Sequence, residues 1–185
     1  MPHVLGISGS LRKGSYNSAL VRACQSLAPE EMVIETCDIS DLPLYNADVH
    51  DAGLPAPVER VVSALRAADG LLFACPEYNR SVPGVLKNAI DWASKSPPQP
   101  FDGKPIAIIG ASRGVLGTIM ANHHLRQIFV YLNGRMVNGP EVLVGNAGDK
   151  FDKDGVLTDE ATRKFVAEHL ARLDRMIADC RISET

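Results

Sequence analysis

Short apolar runs alternate with amphipathic stretches along this 185-residue chain. Residues 3–8 are almost wholly apolar and read as a buried strand. Residues 15–27 read as a helix with Leu20, Val21, Cys24 and Leu27 on one face. Residues 32–37 carry the β-branched pair Val33 and Ile34 and read as a second strand. Residues 38–57 show neither period and are rich in Asp, Pro and Gly. A structureless loop of that length is expected to be functional or interfacial. A helix follows at 58–68, then a strand at 70–75 that is apolar throughout. Residues 83–94 read as a helix with Pro83 near its first turn, where a missing N–H costs nothing. After a Pro-rich turn at 96–100 the pattern predicts a strand at 105–111, a helix at 116–131, a fifth strand near 135–144 and a closing helix over 158–181. Asp159 and Glu160 in the first turn of that last helix suit its dipole.

Strands alternating with helices imply one parallel sheet covered on both faces. The runs 3–8 and 70–75 suit its buried centre. The expected architecture is a single α/β domain spanning 1–185, with five parallel strands in the order 2-1-3-4-5 and ligands at the carboxyl ends of the strands. The bulk numbers narrow the function. A net charge of −3 without a basic cluster gives no reason to expect nucleic acid. Cys24, Cys37, Cys75 and Cys180 are scattered without a C-x-x-C pair, which suggests buried free thiols in a reducing compartment. No apolar run is long enough for a membrane span and no basic-then-apolar leader is seen, so a cytoplasmic protein is expected.

Three strand ends carry candidate chemistry. After the first strand, the loop Gly9-Ser-Leu-Arg-Lys-Gly14 leads into a helix through Ser15, Tyr16, Asn17 and Ser18. Ser10, Ser15, Asn17 and Ser18 offer neutral donors, Arg12 a charged fork, and the helix start free N–H groups; together they suit a phosphate monoester. An ordinary polar turn capped by Ser15 accounts for the same residues. Ser15 stands where a Walker loop needs lysine, and the glycine spacing fails the dinucleotide fingerprint. After the third strand, Pro76-Glu-Tyr-Asn79 precedes a proline-started helix. Tyr78 suits covering a flat aromatic ligand, with Glu77 and Asn79 flanking it. After the fourth strand, Ser112, Gly114 and Gly117 permit close backbone approach to a ligand. His123 and His124 are adjacent, so on a helix they do not converge on a metal; they read as structural or interfacial, and no metal is expected. Arg113 and Arg80 are exposed-loop cations that suit the extra phosphate of NADPH or plain solvation.

The run Ile7-Ser-Gly-Ser-Leu-Arg-Lys-Gly-Ser-Tyr-Asn17 together with Pro76-Glu-Tyr-Asn-Arg-Ser-Val-Pro-Gly-Val-Leu-Lys-Asn-Ala-Ile-Asp-Trp92 resembles the NADPH-dependent FMN reductase family, which includes quinone, chromate and azo-dye reductases. The resemblance covers nearly the whole chain, and His124-Leu-Arg-Gln127 also fits it. It implies a flavodoxin-like fold and tightly held FMN. Ser10, Arg12, Ser15 and Asn17 would hold the phosphate, with Tyr16 and Ser18 in the same loop. Pro76, Glu77, Tyr78 and Asn79 would border the isoalloxazine ring, and Ser112 and Gly114 would complete the site. It further implies NADPH or NADH as donor, a small electron acceptor, and a homodimer or homotetramer. Arg113 and the single Gly117 depart from the family's usual third loop. The absence of a nucleophile–base pair suits flavin chemistry, with electrons passing ping-pong fashion to the acceptor. The competing readings are a flavodoxin-type electron carrier, which usually has aromatic shielding and an acidic surface, and a redox-sensing FMN-binding protein.

Overall fold

The central strands are apolar on both sides, so their sheet needs cover on both faces. In the computed structural model, which describes residues 1–183, the cover comes from helices on each side. The strands are β1 (His3–Ser8), β2 (Val33–Cys37), β3 (Gly70–Ala74), β4 (Pro105–Ala111), β5 (Arg135–Met136) and β6 (Val142–Val144). The helices are α1 (Tyr16–Leu27), α2 (Ala47–Ala52), α3 (Ala56–Ala67), α4 (Gly84–Ser94), α5 (Ile119–Tyr131) and α6 (Glu160–Ser183). The sheet runs β2-β1-β3-β4-β5, all parallel, with β6 also paired to β4.

Successive strand residues serve opposite cores. Leu71, Phe73, Ile106 and Ile108 pack with Val61 and Leu65 of α3, Leu86 and Trp92 of α4, and Leu125 and Phe129 of α5. Their neighbours Leu72, Ala74, Ala107 and Ile109 pack with Leu20 and Cys24 of α1 and Val166, Leu170 and Leu173 of α6. This alternation makes β3 and β4 continuous apolar runs and fixes their register.

Three local expectations change. The fifth strand is two short pieces, because the segment between them contains Pro140, which has no N–H to donate to a ladder. The 38–57 segment is not structureless: it contains α2, capped by Asn46, whose side chain accepts from Asp48 N–H at 2.9 Å. None of the residues of α2 is buried, so it has no apolar period to betray it. The segment is held from α4. Trp92 Nε1 and Asn88 Nδ2 both donate to the Pro43 carbonyl at 2.8 Å, and Asn88 Oδ1 accepts from Tyr45 N–H at 2.8 Å. Lastly, Cys24 and Cys75 are buried free thiols, both pushed up to about 12 by burial, but Cys37 and Cys180 are only partly covered.

His169 on α6 is fully buried; the Pro140 carbonyl lies near its ring, but among the described residues neither ring nitrogen has a partner in good hydrogen-bond geometry. Burial pushes its pKa down from 6.5 to about 4; Arg126 and Arg172 add to the effect, and the Pro140 carbonyl opposes it. Between those two values the unfolded chain binds a proton that the folded chain refuses. Stability is therefore fully present above about pH 6.5 and falls as the pH drops toward 4. The gap corresponds to roughly 3 kcal/mol. Asp38 and Asp159, held below their ordinary 3.8 chiefly by hydrogen bonds from Ser40 and Thr162 respectively, titrate beneath this window. Urea unfolding of the ligand-free chain is expected to lose about 2–3 kcal/mol between pH 7 and pH 4.5 from this residue. His169→Leu should flatten that slope; an unchanged slope would exclude His169 as its source.

Candidate functional site

The first loop is braced from within. Gly9 N–H donates to the Ala74 carbonyl at 2.9 Å, which seats the loop on the end of β3. Ser18 Oγ donates to Ser8 Oγ at 2.9 Å, and Ser8 Oγ accepts from Ser10 N–H at 3.3 Å. Ser15 caps α1: its buried hydroxyl accepts from the N–H groups of Asn17 and Ser18 at 3.2 and 3.3 Å. Arg12 reaches back to the Gly14 carbonyl at 2.6 Å. The N–H groups of Leu11, Lys13, Gly14 and Tyr16 donate to no protein group among the described residues.

Asn17 does a different job from its neighbours. It is buried, its Nδ2 donates to the Ala111 carbonyl at 2.9 Å, and its Oδ1 accepts from Ala111 N–H at 2.9 Å. Both halves of its amide are thus engaged at the end of β4.

The second loop folds into a tight turn. Tyr78 and Ser81 exchange two backbone hydrogen bonds of 3.1 Å, and the residues between them, Asn79 and Arg80, have φ of +51° and +65°. A left-handed pair at the turn centre is the type I′ arrangement, normally filled by Asn and Gly. Asn79 tolerates that conformation; Arg80 is strained by it. Ser81 Oγ lies 3.0 Å from His124 Nδ1 on α5. The carboxylate of Glu77, only 12 % exposed, accepts from the N–H groups of Met120 and Ala121 at 2.9 and 3.2 Å. Rather than standing free beside a heterocycle, it closes the first turn of α5, where Thr118 makes no side-chain cap.

The third loop packs tightly against the second. A Cβ on Gly110 would strike the Thr118 side chain and lie 2.6 Å from the Cys75 carbonyl, so only glycine lets α5 begin this close to the end of β3. Ser112 Oγ donates to the Gly117 carbonyl at 2.7 Å. The Arg113 guanidinium lies 5.9 Å from the centre of the Tyr16 ring, which itself packs on Phe151 at 5.4 Å.

The three loops enclose a cleft of about 320 Å³. Ser10, Arg12, Ser15, Tyr16 and Asn17 line it from the first loop, Pro76, Glu77 and Tyr78 from the second, and Ser112 from the third. Of the sequence-predicted residues, Ser18 faces a neighbouring hollow beside α1 at the carboxyl ends of β1 and β2, and Asn79 and Gly114 stay off the lining. Ala111 and Arg113 line it as well. Ala111 carries no chemical signal beyond its place at a strand end, and Arg113 reads from sequence as a contact for the extra phosphate of NADPH or as a plain solvated loop residue. Among the described residues no group of three His, Cys, Asp or Glu is placed to hold a metal, and no helix is long and apolar enough to cross a membrane. A larger groove of about 580 Å³ lies between α4 and α5, lined by Ile90, Ile128 and Tyr131 among others.

Comparison with known proteins points the same way. Residues 2–149 match the family described as NADPH-dependent FMN reductase. An NAD(P)H-dependent FMN reductase from Pseudomonas aeruginosa is 53% identical over 178 residues, covering 96% of each chain. A quinone reductase from Escherichia coli is 42% identical over 182 residues, covering 97% of each. Among solved structures, the flavoenzyme NAD(P)H:(acceptor) oxidoreductase FerB from Paracoccus denitrificans superimposes with a TM-score of 0.88 at 36% identity, over 97% of this chain and 98% of its own.

Removing the Asn17 amide orphans the N–H and C=O of Ala111, a buried residue. Each orphaned group costs about 1–3 kcal/mol. Asn17→Ala is expected to lose at least about 2 kcal/mol in urea unfolding. A loss below about 0.5 kcal/mol would show that the tie between the two loops is dispensable.

Proposed function

Because the chain belongs to the NADPH-dependent FMN reductase family, and is therefore an enzyme that works with FMN and NAD(P)H, we propose that it passes electrons by a ping-pong mechanism from NADPH to quinones or other small acceptors, with the FMN seated in the three-loop cleft. The unclaimed donors of the first loop carry this reading. Among the described residues, four backbone N–H groups there lack a protein acceptor, and the Ser10 and Ser15 hydroxyls and the Arg12 guanidinium line the cleft beside them. A terminal phosphate needs that many donors, and a structural turn does not.

The remaining residues divide by what they have left to offer. Asn17, Ser18 and Ser112 use their side chains within the protein, so they hold the shape of the cleft. The N–H groups of Asn79 and Arg80 take no acceptor among the described residues and suit the polar edge of the isoalloxazine ring. Tyr78, 49 % exposed, would cover the ring without sealing it. FMN, when bound, supplies the two-electron chemistry, accepting a hydride equivalent from the nicotinamide and reducing the acceptor. The protein's part is to fix the cofactor and leave one face open, so that donor and acceptor use the same space in turn. Arg113, exposed at the rim, suits the extra phosphate of NADPH. The exposed Val130 and Tyr131, next to the groove between α4 and α5, support self-association into the dimers or tetramers the resemblance implies.

Steady-state rates with NADPH and a quinone should give parallel double-reciprocal lines, and anaerobic mixing with NADPH alone should bleach the bound flavin. Intersecting lines or an unbleached flavin would refute the ping-pong order. Arg12→Ala should weaken FMN binding by roughly tenfold or more, the scale of one charge-assisted hydrogen bond. Arg113→Ala should lower the preference for NADPH over NADH; an unchanged ratio would remove that role.

A further inference from the structure

Two non-glycine residues in the left-handed region, side by side at the tip of a cleft-lining loop, hold their conformation only if the structure around them dictates it. Two anchors do so, one on each side of the Tyr78–Ser81 turn, and both sit on α5. After the turn, Ser81 meets His124. Before it, Glu77 takes the N–H groups of Met120 and Ala121 on one oxygen, while its other oxygen lies 3.7 Å from Arg80 Nη1. One carboxylate thus touches both the strained residue and the helix. These N–H groups are among those a helix start leaves unpaired. The helix's own cap residue leaves them unclaimed, since Thr118 makes no side-chain cap and its buried hydroxyl has no partner among the described residues. The negative charge also offsets the positive end of the α5 dipole beside the cleft.

We propose that Glu77 is a positioning residue for the ring end of the cleft: by capping α5 from a different loop, it locks the Tyr78–Ser81 turn in the strained form that presents Tyr78 and the Asn79 and Arg80 N–H groups to the flavin ring. The inference rests on the cleft being the FMN site. It separates two parts of that site. The first loop handles the phosphate and does not depend on Glu77. The second handles the ring and does.

The test uses the full-length chain stripped of cofactor, as wild type, Glu77→Ala, Glu77→Gln and Arg12→Ala, titrated with FMN and with riboflavin by fluorescence. Amide exchange at Met120 and Ala121 is read in parallel. Glu77→Ala is expected to weaken FMN and riboflavin by the same factor, about tenfold or more, and to speed exchange at both amides. Arg12→Ala should weaken FMN and leave riboflavin alone, because riboflavin has no phosphate. Glu77→Gln keeps an acceptor oxygen, so it should restore slow exchange and most of the ring affinity, a rescue that nonspecific damage to the fold would not show. Glu77→Ala affinities within twofold of wild type would overturn the proposal, as would a loss confined to FMN or a Gln variant no better than Ala. If Glu77→Ala fails to fold, the Gln variant decides: unprotected Met120 and Ala121 amides in a folded Gln variant overturn it. Failure of wild type to bind either flavin would bring down the functional reading itself, whereas normal wild-type binding with unaffected Glu77 variants would remove only the role of Glu77.

Discussion

The paired hydrogen bonds between the Asn17 amide and the Ala111 backbone set the frame on which the site depends. They join the first turn of α1 to the end of β4, and those two strand ends are not neighbours, because β3 lies between β1 and β4. A bridge over an intervening strand fixes the width of the cleft. Glu77 adds a second tie, from the loop after β3 to the helix after β4. With Gly9 seated on Ala74, each of the three loops is bonded to another of the three strand-end units. The ties at Ala74, Ala111 and Ala121 satisfy backbone groups of buried residues, which would otherwise lose water without gaining a partner.

Once those ties are made, the donors left over define the chemistry. The second and third loops commit the side chains of Glu77, Ser81 and Ser112 internally. Among the described residues the first loop keeps four N–H groups, the hydroxyl protons of Ser10 and Ser15 and most of Arg12 unclaimed. The capacity for an anion is therefore concentrated at one end of the cleft. At the α5 end, where a helix start would otherwise add a second positive pole, the Glu77 carboxylate already occupies it. The cleft is polarised along its length without any cluster of charge that a charge count would reveal.

Much of this was legible in the sequence. The strand runs 70–75 and 105–111 were readable because both faces are buried, and the turn chemistry at Ser15 and Pro83 marked the helix starts. The order of the sheet and the convergence of three loops followed from the alternation of elements. What the sequence could not display was pairing across distance. Asn17 and Ser10 look alike as polar loop residues, yet one is a buried tie 94 positions from its partner and the other lines the cleft with its donor unclaimed. Glu77 reads as a flanking carboxylate until Met120 and Ala121 are placed beside it. The exposed helix α2 gave no apolar period, and the split of the last strand turns on Pro140 and on a bulge that sets residues 137–141 opposite only Ala107 and Ile108 of β4.

The contrast between the two ends of the cleft bears on what such a site selects. The first-loop end is polar and braced, and a site built from unpaired donors strongly rejects a ligand that cannot satisfy them. At the second-loop end the lining includes the half-exposed Tyr78, and the third loop and first turn of α5 expose Val115, Leu116 and Met120. Apolar contacts at an open surface distinguish molecules weakly, since a methylene more or less changes binding by only about 1–3 kcal/mol even in a closed pocket. On the proposed reading the same cleft would be stringent toward the cofactor and permissive toward the molecules that visit its open face. In the proposed reaction that asymmetry matches one fixed cofactor serving a range of small oxidants, and it arises from which polar groups the fold uses for itself and which it leaves free.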